Sequence, residues 1–150
     1  MKQAEVQFET FLVRYLPKVA GVGRAAVKRL RQRLPGCDVL IYDNYNALAA
    51  GFSPNGKTGA AILSIALYPR WTSLFFLQAA GLHDPYALLQ GKGTTARHIV
   101  LASADDLDTP PIRALIEAAI AGAKVPYDPA RAGALVIKSV SENQRPRRPG

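Results

Sequence analysis

The chain is poor in the residues that build cofactor and metal centres. It contains one cysteine, Cys37, and two histidines, His83 and His98. A single cysteine excludes an internal disulfide and a multi-cysteine zinc site, and two histidines are too few for a histidine-rich metal centre. No apolar run approaches the roughly 18 residues that a membrane span needs, and the first residues do not resemble a secretory leader. We therefore expect a cytoplasmic protein with no resident cofactor, no metal site and no membrane partner.

The composition is that of an ordinary globular protein. The 150 residues are 49% hydrophobic and 20% charged, with 12 glycines and 11 prolines. A chain of this length buries enough surface to form one hydrophobic core. We expect a single folded domain over residues 1–141. The Arg- and Pro-rich segment 142–150 cannot build a core, so we expect it to be a basic, mobile tail.

Positive charge is concentrated in one segment. The formal net charge is +8, and the stretch from Arg14 to Arg33 holds seven basic residues and no acidic one. Such a concentration indicates a surface for nucleic acid, since Lys and Arg neutralise phosphates. The alternative is the solvent-facing side of an amphipathic helix. The residues predicted to contact nucleic acid, together with the arginines of the tail, are Arg24, Lys28, Arg29, Arg31 and Arg33.

The pattern of apolar residues predicts helices at both ends of the chain and strands between them. Helical spacing covers residues 6–16 and resumes from 24 to 34, and Thr109 before two prolines predicts a third helix that stops near Gly122. Short apolar runs separated by turn residues predict strands. These runs lie at 45–52, 59–68, 71–78 and 97–101, with an edge strand at 134–140. We expect an α+β fold in which a central antiparallel sheet of about five strands carries the helices on one face.

Two glycine-containing segments match phosphate-binding motifs. Residues 51–58 fit the P-loop pattern G-x-x-x-x-G-K-[ST], which would indicate a nucleotide-dependent enzyme if a helix followed the loop. Residues 19–30 resemble the helix-hairpin-helix element, in which a Gly-x-Gly turn presents backbone amides to a DNA phosphate. The alternatives are a hairpin loop between two strands for the first segment and a plain helix connection for the second.

The polar residues show no catalytic constellation. Asp105, Asp106 and Asp108 stand beside helix-start signals and are more typical of caps than of a cation site. Strands place alternate side chains on one face, so several aromatic and polar residues could line a pocket, with core packing as the alternative for the aromatics. The residues predicted to bind a ligand are Tyr42, Asn44, Trp71, Arg97 and His98.

One segment resembles a known family. Residues 81–99, GLHDPYALLQGKGTTARHI, resemble the motif of the YdhG-like family, in which a DP-x-x-LL-x-G-x-G loop precedes a strand that opens with R-H-I. The order of elements over residues 5–123 also matches. The resemblance implies an α+β fold similar to that of frataxins, places Arg97 and His98 in the recurrent motif, and links some relatives to iron chaperoning. Iron handling in frataxins uses an acidic ridge on the first helix, where this chain offers Glu5 and Glu9.

These observations leave several hypotheses open. The first is a non-enzymatic binding domain for a small ligand or a protein partner, and the second is a nucleic-acid-associated protein. A nucleotide-dependent enzyme and, through the resemblance, an iron chaperone are further alternatives. The edge strand at 134–140 could pair with a second copy to form a homodimer.

Overall fold

The computed structural model describes residues 2–150, which form three α-helices and one six-stranded sheet. The helices are α1 (Gln3–Leu12), α2 (Pro17–Arg33) and α3 (Pro110–Ala121). The strands are β1 (Asp38–Asp43), β2 (Leu48–Ser53), β3 (Leu63–Leu67), β4 (Thr72–Phe76), β5 (Arg97–Leu101) and β6 (Leu135–Val140). Short 3-10 turns, Thr58–Ala60 and Ala104–Asp108, precede β3 and α3.

The α+β class is confirmed, with one strand more than expected. The strands lie in the order β5-β4-β3-β2-β1-β6. The pairs from β1 to β5 are antiparallel, as predicted, but β6 runs parallel to β1. A parallel pair needs a long connection, which the segment after α3 provides by returning the chain to the end of the sheet where β1 begins. β6 lies at the sheet edge as expected, and pairing of this edge with a second copy stays a prediction.

The carboxylate of Asp38 fastens the chain where β6 begins. Its Oδ1 accepts hydrogen bonds from the Ala134 backbone N–H at 2.9 Å and from Arg131 Nη1 at 3.0 Å, and its Oδ2 accepts one from Arg131 Nη2 at 3.0 Å. Arg131 also donates to the Gly36 carbonyl at 3.0 Å. This two-pronged ion pair joins the start of β1 to the start of β6.

All three helices pack against one face of the sheet, as predicted. Alternate residues of each strand, such as Val39, Ile41 and Ile65, enter one buried cluster with Leu30 of α2 and Ile116 of α3. The opposite face carries no helix, and its central residues are small and buried: Gly51, Ser64, Ala66 and Ser73.

Residues 17–33 form one continuous helix, so both interpretations of residues 19–30, the helix-hairpin-helix element and the plain helix connection, are wrong. α2 begins at Pro17, in the first turn of the helix, where a missing N–H is tolerated. Gly23 faces the sheet, and a Cβ at this position would stand 2.8 Å from the side chain of Leu67 in β3. The glycine permits close helix–sheet packing rather than a turn.

The P-loop interpretation of residues 51–58 is also wrong, because a strand rather than an α-helix follows the loop. β2 ends at Ser53, and the 3-10 turn Thr58–Ala60 leads into β3. The Asn55 side chain accepts a hydrogen bond from the Lys57 backbone N–H at 2.9 Å. A phosphate would need such amides free. The segment is a strand-joining loop, and the nucleotide-dependent enzyme loses its structural basis.

Residues 142–150 fold back onto the domain, although the sequence predicted a mobile tail. The Arg145 backbone N–H donates to the Tyr45 carbonyl at 2.9 Å, and Gln144 donates to the Asp43 carbonyl at 2.9 Å. Arg147 is only 4% exposed, and its guanidinium lies 2.8 Å from the Asp43 carboxylate. Asp43, which is 104 positions away in the sequence, gives this arginine its buried partner, and this distant contact explains the difference.

Candidate functional site: a basic cleft at Trp71

The five residues predicted to bind a ligand do not meet at one site. Tyr42 on β1 and His98 on β5 share the helix-free face, but three strands separate them, a distance of roughly 19 Å at ordinary strand spacing. Trp71 precedes β4, whereas Arg97 pairs with Phe76 at the other end of that strand. Asn44 is exposed in the turn after β1.

The separated residues have local partners of their own. The Tyr42 hydroxyl is hydrogen-bonded to the Thr58 hydroxyl, which ties the loop after β2 to the helix-free face. The His98 ring packs on Phe75, with ring centroids 5.2 Å apart. Arg97 Nε donates to the Gly93 carbonyl at 2.6 Å. Arg97 and His98 therefore hold the preceding loop against β5. Tyr42 and Asn44 lie toward the same end of the sheet as Trp71, but β2 and β3 separate β1 from β4.

The basic segment of α2 is largely paired with acidic residues from elsewhere in the chain. Arg24 Nε lies 3.0 Å from both carboxylate oxygens of Glu9, and Arg31 lies 2.9 Å from Glu5. Arg29 contacts Asp105 and Asp108 before α3. Arg33 reaches Glu117 of α3 at 3.9 Å and the Leu107 carbonyl at 3.5 Å. These arginines bind the neighbouring elements to α2.

The pairing changes what the basic segment can offer a polyanion. Exposed ion pairs contribute little to stability, but each one occupies a guanidinium that a phosphate would otherwise use. Among the five residues predicted to contact nucleic acid, only Lys28 makes no ion pair within residues 2–150. It lines a groove of about 390 Å³ between α1 and α2, together with Glu5 and Glu9. The groove is electrostatically mixed rather than basic.

An exposed aromatic pair lies at the turn between β3 and β4. Pro69 and Arg70 form a two-residue hairpin connection, in which the Tyr68 backbone N–H donates to the Trp71 carbonyl at 2.9 Å. This connection sets the two aromatic residues opposite each other. Their rings stack with centroids 5.0 Å apart and an interplanar angle of 22°. Burial raises the pKa of Tyr68, so its phenol is neutral in the stack, and Trp71 remains 43% exposed.

Two neighbouring cavities share Arg70 and Trp71, and we call them together the Trp71 cleft. The larger, of about 630 Å³, lies between the hairpin and the C-terminal segment, and the smaller, of about 220 Å³, lies between the hairpin and α2. The charged side chains that line the cleft are all cationic: Lys18, Arg70, Arg145 and Arg148. Neither cavity is lined by an Asp or Glu side chain of the described residues.

The cations of the cleft are free to take an external anion. Lys18, Arg70, Arg145 and Arg148 make no ion pair in the part of the chain that the structure describes. Arg148 donates from Nε to the Arg14 carbonyl at 3.0 Å and from Nη2 to the Val13 carbonyl at 3.3 Å. These contacts position the side chain, leave Nη1 without a protein partner among the described residues and do not compensate the charge. Gly150 also lines the larger cavity.

The wall of the larger cavity depends on a buried ion pair. Arg147 donates to the Asp43 carboxylate and to the carbonyls of Asn44 and Tyr45. Its guanidinium also lies 5.7 Å from the centre of the Tyr15 ring, in a cation–π contact. Burial raises the pKa of Tyr15 to about 12, so this ring stays neutral. These contacts hold Arg145 and Arg148 at the cleft, on either side of Arg147.

The remaining chemistry-bearing residues do not form a reactive centre. Burial raises the pKa of the Cys37 thiol to about 11, which removes its thiolate at neutral pH. No three His, Cys, Asp or Glu side chains among residues 2–150 lie close enough to hold a metal ion. Asp106 forms a capping box with Ser103, which fits the capping role expected for these acidic residues. Over the same residues, no helix has both the length and the hydropathy of a membrane span.

Sequence reasoning found Trp71 but missed most of the cleft. Tyr68 and Arg70 carried a usable signal, because a Pro-Arg pair between two apolar runs predicts a hairpin that sets Tyr68 against Trp71. The arginines of residues 142–150 were recognised as basic, but their position beside Trp71 depends on the distant Asp43. Lys18 was included in the basic segment of residues 14–33. It lies in the first turn of α2, at the opposite end of the helix from Arg33, and its place beside Trp71 was not predicted.

Comparison of the chain with family models, with curated proteins and with solved structures finds no match.

Proposed function

We propose that this protein is a binding domain for a phosphate-bearing polyanion, which it holds in the Trp71 cleft. The observation that carries the proposal is the convergence of four unpaired cations on one concave surface without an Asp or Glu side chain. Cations that lack an internal partner gain most from an external anion, because no internal ion pair has to be broken. This retains the expected ligand-binding role but places it at one end of the sheet.

The distribution of charge supports this location over the basic face of α2. Residues 14–33 contribute seven positive charges to the formal net charge of +8. Their arginines, however, are engaged with Glu5, Glu9 and the acids that precede α3. Arg70, Arg145 and Arg148, by contrast, make no ion pair within residues 2–150 and line one cavity together. In this proposal the nucleic-acid hypothesis retains the arginines of residues 142–150, adds Arg70 of the hairpin, and keeps only Lys18 from α2.

Two further expectations belong to the proposal. Membership of the YdhG-like family is supported by the α+β fold with its helices on one face and by the loop of residues 81–99. A cytoplasmic location fits a reduced, buried Cys37 and a polyanionic ligand. Iron chaperoning receives no support from the paired Glu5 and Glu9 or from the scattered remaining acids.

The test is salt-dependent binding of two probes, inorganic polyphosphate and a single-stranded oligonucleotide. Four phosphate contacts should weaken binding roughly 50- to 150-fold between about 50 mM and about 200 mM salt, because each contact releases condensed counterions. Arg70→Gln should weaken binding of both probes, since Arg70 lines both cavities. Titration calorimetry or anisotropy of a labelled probe measures the effect.

Lys28→Gln is the matched control, because it removes one exposed, unpaired cation from the α1–α2 groove instead. It should leave the affinity of both probes unchanged. The proposal fails if neither probe binds at low salt, or if Lys28→Gln weakens binding as much as Arg70→Gln does.

A further inference from the structure

We infer that the ligand of the Trp71 cleft is single-stranded nucleic acid, with a base stacked on Trp71 and the flanking phosphates on the arginines. This inference rests on the proposed function and narrows its ligand from polyanions in general to one class. It is carried by the aromatic pair, which a ligand made only of phosphates would leave unused.

The aromatic pair has the form of a stacking platform. Trp71 is 43% exposed, and Tyr68 lies against its ring at 5.0 Å in a nearly parallel orientation. The hairpin holds both rings at a rigid two-residue turn, so little conformational freedom remains to be lost when a base binds. Every base offers an aromatic face, and proteins that bind single strands use exposed aromatics in this way.

Cations lie on both sides of this platform. The smaller cavity combines Trp71 with Lys18 and Arg70, and the larger combines Trp71 with Arg145 and Arg148. A strand that crosses the turn can therefore place one base at the indole and neighbouring phosphates in each cavity. Basic grooves interleaved with aromatic side chains are the recurring surface of single-strand binders.

A duplex fits this surface less well than a single strand. Base edges in duplex DNA are reached through the grooves, by a protruding helix or a two-stranded ribbon. The Trp71 cleft is concave, and its aromatic face needs a base that has left its stack. Paired bases in a duplex are stacked on each other, so the duplex would meet only the cations.

The fluorescence of Trp71 can be used to measure ligand binding. Trp71 is the only tryptophan, so the intrinsic tryptophan fluorescence comes entirely from the proposed platform. The titrants are a single-stranded oligonucleotide of about ten nucleotides, the duplex of the same sequence, inorganic polyphosphate and poly-glutamate. We expect the single strand to quench the fluorescence and to bind at least tenfold more tightly than the other three at equal salt.

Variants separate stacking from charge. Trp71→Ala should weaken binding of the single strand about tenfold or more while leaving the salt dependence unchanged. Trp71→Phe should restore most of the affinity, because it keeps an aromatic face. Arg70→Gln should instead reduce the slope of log affinity against log salt by about 0.7, the value for one phosphate contact of a single strand. Tyr86→Ala, which removes an aromatic residue that is 70% exposed outside the cleft, is the control and should change nothing.

Affinities of the variants are measured with a labelled oligonucleotide, and circular dichroism and thermal melting confirm that each one folds. Equal binding of polyphosphate and single strand, with Trp71→Ala indistinguishable from wild type, overturns the inference and leaves the proposed function standing. Equal binding of the duplex, or Trp71-dependent binding of poly-glutamate, also overturns it. If no anionic probe binds even at low salt, the proposed function itself fails.

Discussion

Asp43 and Arg147 form a buried ion pair across 104 residues of sequence, with Arg147 Nη2 lying 2.8 Å from Asp43 Oδ1. The two side chains are 1% and 3% exposed. The partly exposed side chain of Arg14 lies 3.5 Å from the other carboxylate oxygen, Asp43 Oδ2. Because Arg147 lies between Arg145 and Arg148, this pair positions the C-terminal wall of the Trp71 cleft.

Removal of the Asp43 charge should destabilise the fold strongly. Asp43→Asn leaves the buried guanidinium of Arg147 without its counter-charge, which typically costs about 3 to 5 kcal/mol. The measurement is urea unfolding of Asp43→Asn, Arg147→Met and the double variant. The double variant should lose less than the sum of the single variants, and strict additivity would show that the pair is not coupled. Arg148→Gln, on the exposed neighbour, is the control and should unfold like wild type.

Two glycines of α2 should respond differently to the same substitution. A methyl group added at Gly21 would meet no heavy atom within 4 Å, so Gly21→Ala should stabilise the protein by about 1 kcal/mol through helix propensity. Gly23→Ala brings its methyl group to 2.8 Å from the buried side chain of Leu67. Overpacking of this kind costs about 1 to 3 kcal/mol, which offsets or exceeds the propensity gain. Thermal denaturation of both variants decides the matter, and equal stabilisation would rule out tight packing at Gly23.

The ion pair of Asp38 with Arg131 should make stability fall at acidic pH. The hydrogen bonds and charge of Arg131 hold the pKa of Asp38 below its usual value of 3.8. A carboxyl with a lowered folded-state pKa stabilises the protein fully above its unfolded-state pKa, and the contribution is lost as pH falls through the folded-state pKa. The difference in unfolding free energy between wild type and Asp38→Asn should therefore be constant near neutral pH and shrink below about pH 4. A difference that stays the same down to pH 2 would contradict this account.

The thiol of Cys37 should be inert in the native protein. It is buried, and desolvation raises its pKa to about 11, so both access and thiolate formation are suppressed. Iodoacetamide at pH 8 should leave it unmodified for hours and alkylate it readily in denaturant, as followed by mass spectrometry. Ser139→Cys adds an exposed thiol on β6 and is the positive control. Native modification of Cys37 as fast as that of the added thiol would show that this site opens.

Local patterns predicted most elements of the fold, but no predicted strand covers β1 (Asp38–Asp43), and α2 begins at Pro17 rather than near Arg24. Short apolar runs between turn residues located β3 to β5, and Thr109 with its prolines located the start of α3. Gly21 and Gly23 suggested a turn, but the role of Gly23 lies in tertiary packing. A side chain at this position would collide with Leu67 of β3, which is distant in the sequence and is brought close only by folding.

The candidate site could be predicted only in part, since Trp71 was recognised as a ligand-binding residue but grouped with Arg97 and His98. Strand register separates them, because Trp71 precedes the first residue of β4, whereas Arg97 of β5 pairs with Phe76, the last residue of β4. Register is set by pairing between strands, which a single sequence does not display. The same limit hid the parallel pairing of β6 with β1, which the contacts of Asp38 with Ala134 and Arg131 help to establish.

The sequence by itself determined the class of the fold, the placement of most strands and helices, and the total positive charge, because these depend on composition and on periodicities within short segments. Only the tertiary structure decided where that charge is available. Arg29 meets Asp105, and Arg147 meets Asp43, across long stretches of chain, while Arg70 and Arg145 find no acid. An ion pair forms where folding brings two side chains within a few ångströms, so the free cations are a property of the packed molecule rather than of its local sequence.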